Sequence, residues 1–272
     1  MFNRVRSFSF PSSSLGSDAP EDFIPSELPL ELREAWESWQ HSDLTPDNYA
    51  RSVNESDWPV SIYVPERYED GYAYPLITWF HSDANDEEQL ESVMKAVSSQ
   101  NYIGLALRGN HEMSSATGGF RWDPSTTGMA PGRIPLQQLL HLTVCRLRRT
   151  VHIHSERIFL AGSGHGADTA MQMLAFQPDW FAGAVLLDPF CEAAALPEDL
   201  PPALQQKPIL MSLSGNCGLE VLGRAVRSVR RLRSAGAVVD VDFTELPVDP
   251  GSSEARRIDH WIMDRVAREA FV

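Results

Sequence analysis

The segment Arg157-Ile-Phe-Leu-Ala-Gly-Ser-Gly-His-Gly-Ala167 is the most informative part of this 272-residue chain. Its apolar first half predicts a buried strand, and its glycine-rich second half predicts a sharp turn into a helix. The outer glycines of a G-x-S-x-G pattern fall on Gly162 and Gly166, which puts Gly164 at the centre, where that pattern has serine. Ser163 stands one position early. The segment therefore predicts a strand–turn–helix whose central position has no side chain.

Strand and helix patterns alternate on both sides of this segment. Apolar runs predict strands over residues 60–65, 74–81, 102–107, 182–187, 208–213 and 238–246. Helical spacing predicts helices over residues 87–99, 136–150, 165–177, 219–234 and 253–269. Because strands that alternate with helices form parallel sheets, this order predicts an α/β domain with a mostly parallel central sheet and helices on both faces.

The composition divides the chain into three parts. Residues 1–27 mix serine, proline and acidic residues without a period and predict a flexible tail. Residues 28–57 predict an accessory helix, over Leu28–Gln40, and a linker, and residues 58–272 predict the α/β domain. A tail without a role and an arm that docks a protein partner both fit the first 40 residues.

Charge and cysteine content limit the function. The formal net charge of −14 gives a surface that repels phosphate backbones, so we expect no nucleic-acid partner. No apolar stretch approaches the length of a membrane span, and the N-terminus has no signal-peptide pattern. The spacing of Cys145, Cys191 and Cys217 predicts reduced thiols, so we expect a cytoplasmic protein with no metal and no cofactor.

The turn and the residues after it resemble the α/β-hydrolase superfamily, in its carboxylesterase, phospholipase and polyhydroxyalkanoate-depolymerase-like branch. The resemblance rests on Arg157–Gly162, on Gly166-Ala167 and on the run from Ala175 to Asp188, and it extends upstream to Val64-Pro65 and Phe80-His81. It implies the α/β-hydrolase fold and hydrolysis of carboxylic esters. In that chemistry a histidine takes the proton of the serine, an acid orients the histidine, and backbone N–H groups bind the oxyanion.

All three triad positions that the resemblance implies lack the required side chain. The nucleophile position is Gly164, the acid position is Gly218 and the histidine position falls at Ser252. No histidine occurs between Gly166 and Asp259. Because a triad acts as a unit, these joint losses predict a catalytically inactive or impaired pseudoenzyme that binds a ligand or a protein.

Four side chains are weak substitutes for the missing triad, and with them the chain would be an active carboxylic ester hydrolase with a non-standard nucleophile or triad. They are Ser163, His165, Asp188 and His260. Each also has a structural interpretation. Ser163 would be a structural side chain beside the apex, His165 a variable residue at the helix start, Asp188 a capping or pocket-rim carboxylate, and His260 a surface residue.

A ligand site is predicted at the carboxyl ends of the strands, where open α/β sheets bind ligands. By resemblance, the backbone N–H groups of Ser82 and His165 correspond to an oxyanion hole, and the ligand would be a small ester or acyl compound. The side chains predicted to line the pocket are those of His81, His111, Arg121 and Trp122, although a loop packed by its own aromatic side chains fits equally well. Five arginines between Arg224 and Arg233 predict a solvated helix face, with phosphate binding as the lesser alternative.

Overall fold

The computed structural model describes residues 6–7, 58–114, 117–122, 136–192, 195–245, 249–250, 252 and 255–269. The chain divides into two compact units, residues 1–7 with 59–272 and residues 8–58. The first unit contains the sheet. The predicted accessory helix and linker lie outside the described residues and stay predictions.

An eight-stranded sheet occupies the centre of the first unit, in the order β1-β2-β4-β3-β7-β8-β9-β10. β2 runs antiparallel to β1 and β4, and the other neighbours are parallel. A separate hairpin pairs β5 with β6. The strands are β1 (Arg6–Ser7), β2 (Val60–Tyr63), β3 (Tyr74–Phe80), β4 (Ile103–Leu107), β5 (His111–Glu112), β6 (Phe120–Arg121), β7 (Ile153–Ser163), β8 (Gly183–Leu187), β9 (Pro208–Ser214) and β10 (Val238–Thr244).

Helices cover both faces of the sheet. Because successive strand residues point to opposite faces, each face carries side chains that the helices bury. Within the described residues the helices are α1 (Gln89–Val97), α2 (Leu136–Leu147), α3 (His165–Phe176), α4 (Leu219–Ser234) and α5 (Arg256–Glu269). Ile77, Trp79, Phe159 and Ala161 share one core with residues of α1 and α5. Helix α3 contacts β3, β7 and β8 from the other side. The predicted α/β architecture is confirmed.

Burial explains the character of these elements. All seven residues of β3 are buried, as expected of a central parallel strand that is covered on both faces. Helix α3 is buried from Gly166 through Ala175, which accounts for its small and apolar residues. Helix α4 buries only Ala225, Ser228 and Leu232, one narrow stripe, and its charged residues lie on the remaining surface.

Two residues within the predicted N-terminal tail are described, and both belong to the sheet. Arg6 and Ser7 pair antiparallel with Ile62 and Ser61 and form the edge strand β1. The free side of β2 offers backbone hydrogen-bonding groups that such a segment satisfies. None of the helices in the described residues is long and apolar enough to cross a membrane.

Candidate functional site at the turn between β7 and α3

Gly164 is the apex of the turn that joins β7 to α3. Its φ of 59° and ψ of −125° lie in a region that residues with a side chain rarely adopt. Its N–H donates to the carbonyl oxygen of Leu187 at 3.0 Å, which ties the apex to β8. Among the described residues, apart from its chain neighbours, a Cβ built on Gly164 would come within 4 Å of Cε2 of Phe190 alone, at 3.4 Å. A small side chain would therefore find space at the apex but would strain the backbone.

Gly162 and Gly166 allow the helix to start directly against the strand ends. A Cβ on Gly162 would lie 2.5 Å from the carbonyl carbon and oxygen of Gly166, and one on Gly166 would lie 2.2 Å from the carbonyl oxygen of Phe80. These backbone atoms cannot move away cheaply, so both positions require glycine. With the outer glycines fixed in this way, the residue at the apex is Gly164.

Ser163 is the last residue of β7 and pairs with Leu187 of β8. Strand alternation places Ser163 on the same face as Phe159 and Ala161, the face that packs against α1 and α5. Its side chain is half-buried there. The neighbouring imidazole of His165 is hydrogen-bonded to Asp83 instead of to this serine.

The imidazole of His165 lies between two carboxylates. Its Nδ1 is 2.7 Å from Oδ2 of Asp83, in the loop between β3 and α1, and its Nε2 is 3.5 Å from Oε1 of Glu192, in the segment after β8. The ring of Phe190 lies beside it, with ring centroids 4.4 Å apart. An ionised carboxylate only accepts hydrogen bonds, so Nδ1–H donates to Asp83. Both ring nitrogens therefore face acidic partners.

The loop that carries Asp83 is braced by the β5–β6 hairpin. The N–H of Ala84 donates to the carbonyl oxygen of Phe120 at 3.1 Å, and the N–H of Phe120 donates to the carbonyl oxygen of Asn85 at 2.8 Å. The side-chain amide of Asn85 donates to Oγ of Ser82 at 3.0 Å. These bonds hold the Asp83 carboxylate at the start of α3.

Residues 188–192, which we call the 188–192 segment, place Phe190 over the apex. Asp188 and Cys191 adopt φ of 45° and 53°, values that residues other than glycine rarely take. Oδ1 of Asp188 accepts a hydrogen bond from the N–H of Ser214 at 2.6 Å, which fixes the start of the segment to the end of β9. The Asp188 side chain thus joins the end of β8 to the end of β9.

The same segment is anchored from two helices. The buried carboxylate of Asp168, in α3, accepts hydrogen bonds from the N–H groups of Cys191 at 2.8 Å and Glu192 at 3.3 Å. Burial raises the pKa of Asp168 to about 6, although the two N–H donors oppose this shift. From α4, Nε of Arg224 donates to the carbonyl oxygen of Phe190 at 2.9 Å.

Two of the four predicted pocket residues, His81 and Trp122, are packed together inside the connecting loops. Nδ1–H of the fully buried His81 donates to the carbonyl oxygen of Ser82, and its Nε2 accepts from the N–H of Gly109, both at 2.8 Å. Nε1 of Trp122 donates to the carbonyl oxygen of His81 at 3.0 Å. Burial lowers the pKa of His81, which favours this neutral, doubly bonded form.

The other two predicted pocket residues, His111 and Arg121, have exposed side chains and pair with each other across the β5–β6 hairpin. The structure therefore separates the predicted set into a packed pair and an exposed pair.

The predicted oxyanion positions combine backbone donors with negative side chains. Helix α3 begins at His165, and the N–H groups of Ala167 and Asp168 already donate to the carbonyl oxygen of Gly164, so those of His165 and Gly166 precede the first bonds of the helix. The loop after β3 brings Ser82 and Asp83 to the same edge of the sheet. The Asp83 and Glu192 carboxylates both contact the His165 ring, so two acidic side chains lie beside the start of the helix.

The predicted acid and histidine positions, Gly218 and Ser252, lie in separate local structures. Gly218 caps α4 with φ of −61° and ψ of 151°, and a Cβ there would meet nothing within 4 Å. Oγ of Ser252 donates to the carbonyl oxygen of Asp249 at 2.7 Å, and His260 is exposed on α5. The described residues contain no group of three or more His, Cys, Asp or Glu side chains that could hold a metal ion.

The arginines of α4 divide into two kinds. Arg224, Arg231 and Arg233 donate to backbone carbonyl oxygens of neighbouring segments and brace the helix against them. Arg227 and Arg230 are exposed. The predicted solvated face is thus limited to part of the arginine group.

Fold and site together define a protein of the α/β-hydrolase fold whose turn between β7 and α3 carries glycine at its apex. Solved structures of esterases resemble the chain. A carboxylesterase from Mesorhizobium loti matches 76% of this chain and 94% of its own, with 17% sequence identity and a TM-score of 0.57. A carboxylesterase from Bacillus cereus matches 81% of this chain and 100% of its own, with 16% identity and a TM-score of 0.56.

A ferulic acid esterase matches 76% of this chain and 93% of its own, with 11% identity and a TM-score of 0.59. No family model and no curated protein matches the chain. At these identities the likeness establishes the fold, and it confirms the resemblance to carboxylesterase-like α/β-hydrolases.

Proposed function

We propose that the protein is a catalytically inactive α/β-hydrolase-fold protein that binds a neutral ester or acyl compound at the turn without cleaving it. The observation that carries this proposal is Gly164 at the apex, where a Cβ would contact Phe190 at 3.4 Å. Acyl transfer through a covalent intermediate needs a nucleophile beside a base. Backbone alone supplies neither.

A relocated nucleophile is the alternative, and Ser163 is its candidate. Three features of the structure argue against it. Ser163 lies within the sheet register opposite Leu187, strand alternation directs it to the face of Phe159 and Ala161, and the adjacent imidazole is occupied by Asp83. The serine therefore lacks both the position at the apex and the base that would activate it.

The class of ligand follows from charge. The N–H groups of His165 and Gly166, which precede the first bonds of α3, attract a carbonyl oxygen. Asp83 and Glu192, beside the same helix start, repel a carboxylate. Phe190 adds an aromatic surface next to them. Because the similar solved structures are carboxylesterases and a ferulic acid esterase, uncharged aromatic esters are the first ligands to test.

The experiment compares binding with turnover. Saturation-transfer NMR with methyl cinnamate is expected to show binding, while cinnamate, the matching carboxylate, is expected to show none. The ester is expected to be recovered intact after hours with the protein. Hydrolysis of a short-chain nitrophenyl ester at a rate above that of boiled protein would contradict the proposal.

Two finer parts of the proposal rest on the sequence. A cytoplasmic location agrees with the three unpaired cysteines, Cys145, Cys191 and Cys217. A protein partner for residues 1–40 is the alternative role for the chain, and a truncation that lacks those residues tests it by the loss of co-purifying proteins.

A further inference from the structure

His165 makes contacts to two separate loops through its two ring nitrogens. Nδ1 contacts Asp83 at 2.7 Å and Nε2 contacts Glu192 at 3.5 Å. A neutral imidazole carries one N–H, and only the imidazolium donates from both nitrogens. When Nδ1–H donates to Asp83, the lone pair on Nε2 of the neutral ring faces the Glu192 carboxylate.

We propose that His165 is a proton-operated latch that fastens the 188–192 segment, with Phe190 on it, over the apex at Gly164. Protonation of Nε2 converts the contact with Glu192 from a lone pair facing a carboxylate into a charged hydrogen bond. Protonation therefore closes the segment over the turn, and loss of the proton releases it. The proposal rests on the proposed function only in treating the turn as the ligand site.

The structure shows what the latch would move. Phe190 lies within 3.4 Å of the position of a Gly164 Cβ and packs on the His165 ring. The segment is bounded by Asp188 and Cys191, whose φ values of 45° and 53° give it a strained backbone that its contacts must hold in place. Release of Glu192 would loosen the side of the segment that follows Phe190.

Other charges around His165 act on the same segment. The imidazole contacts Oδ2 of Asp83, and the other oxygen, Oδ1, is buried with no hydrogen-bond partner among the described residues. The Asp83 carboxylate is therefore stabilised by the imidazole. The positive end of α3 opposes a charge on His165. Asp168 holds the N–H groups of Cys191 and Glu192, and burial raises its pKa to about 6, so acid weakens that anchor. The Asp168 effect thus has the opposite sign to the latch.

The experiment measures amide hydrogen exchange of the 188–192 segment at pH 5.5 and pH 7.5, corrected for the intrinsic effect of pH on exchange. The wild-type protein is compared with Glu192→Gln, whose side-chain amide can donate to the neutral Nε2. Glu198→Gln is the matched control, because Glu198 carries an exposed carboxylate in the same connection. A partly exposed ion pair changes protection by about two- to fivefold.

On acidification from pH 7.5 to pH 5.5, we expect the protection of the segment to increase more in the wild-type protein and in Glu198→Gln than in Glu192→Gln. Glu192 also raises the pKa of Asp168, so Glu192→Gln keeps the Asp168 anchor ionised to lower pH. This effect favours acid protection in Glu192→Gln, so a larger gain in the wild-type protein still reports the latch. Equal pH dependence in the wild-type protein and Glu192→Gln would overturn the latch. The measurement uses unliganded protein and no substrate, so its failure would leave the proposed absence of catalysis intact.

Discussion

Replacing Gly164 with serine tests the claim that the backbone conformation at the apex favours glycine over a residue with a side chain. The change forces a residue with a Cβ into φ of 59° and ψ of −125°, which costs about 1–3 kcal/mol. The new Cβ would lie 3.4 Å from Phe190 Cε2, a close contact that the ring can relieve by a small shift. We therefore expect a loss of about 2 kcal/mol in the free energy of unfolding.

Calorimetry and urea unfolding measure this loss. For a domain of this size, 2 kcal/mol lowers the Tm by roughly 4–8 °C. Gly218→Ser is the matched control, because Gly218 has φ of −61° in open space and serine is a good residue at a helix N-cap. We expect this control to be as stable as the wild-type protein or slightly more stable.

The same variant also tests the missing base. Gly164→Ser would place a hydroxyl at the apex, but both nitrogens of His165 face carboxylates and the predicted histidine position is Ser252. We expect no gain of ester turnover. Unchanged stability in Gly164→Ser, an equal loss in Gly218→Ser, or efficient hydrolysis by Gly164→Ser would each show that the turn works differently.

Three further substitutions test other parts of the fold. Gly166→Ala puts a Cβ 2.2 Å from a backbone oxygen and should cost roughly 4 kcal/mol or more by urea unfolding, whereas Gly71→Ala, in open space, should change little. Burial lowers the pKa of His81 below its usual 6.5, so stability from the neutral ring is complete above pH 6.5 and declines as the pH falls below it. The urea midpoint should therefore fall between pH 7.5 and pH 5.5, and it should fall more in the wild-type protein than in His81→Gln. Arg231→Ala, which removes a hydrogen bond to a backbone carbonyl, should lose about 0.5–1.5 kcal/mol, while the exposed Arg230→Ala should stay within about 0.5 kcal/mol of the wild-type protein by chemical unfolding.

The central fold could be predicted from the sequence because its signals are local. Runs such as Tyr74–Phe80 are buried on both faces and are therefore apolar throughout. The spacing of Gly162 and Gly166 reflects direct contact of helix and strand, which only glycine allows. Such requirements act on neighbouring residues, so they leave a pattern that can be read along the chain.

The candidate site could be predicted only in part, because it is assembled from distant loops. Asp83 and His165 meet across 82 positions of sequence, and no periodicity relates them. Phe190 and Glu192 gave no signal beyond their place after a buried strand, at the edge where ligands bind. Their roles depend on the conformation of the 188–192 segment, which Asp168 fixes from another helix.

His81 and Trp122 show how side chains at the carboxyl edge of the sheet also join loops. Both follow strands or loops at the carboxyl side of the sheet, which is where the sequence predicted a cleft. The buried N–H of Gly109 and the carbonyl oxygen of His81 need partners away from water, and the two side chains satisfy them. Their polar groups are therefore used in joining loops.

The absence of a nucleophile at the turn is tested most directly by intact-mass analysis after treatment with a fluorophosphonate probe. We predict that the wild-type protein and Ser163→Ala both keep their unmodified mass, with a known serine esterase labelled under the same conditions. A single phosphonyl adduct on the wild-type protein that disappears in Ser163→Ala would contradict the proposed loss of catalysis.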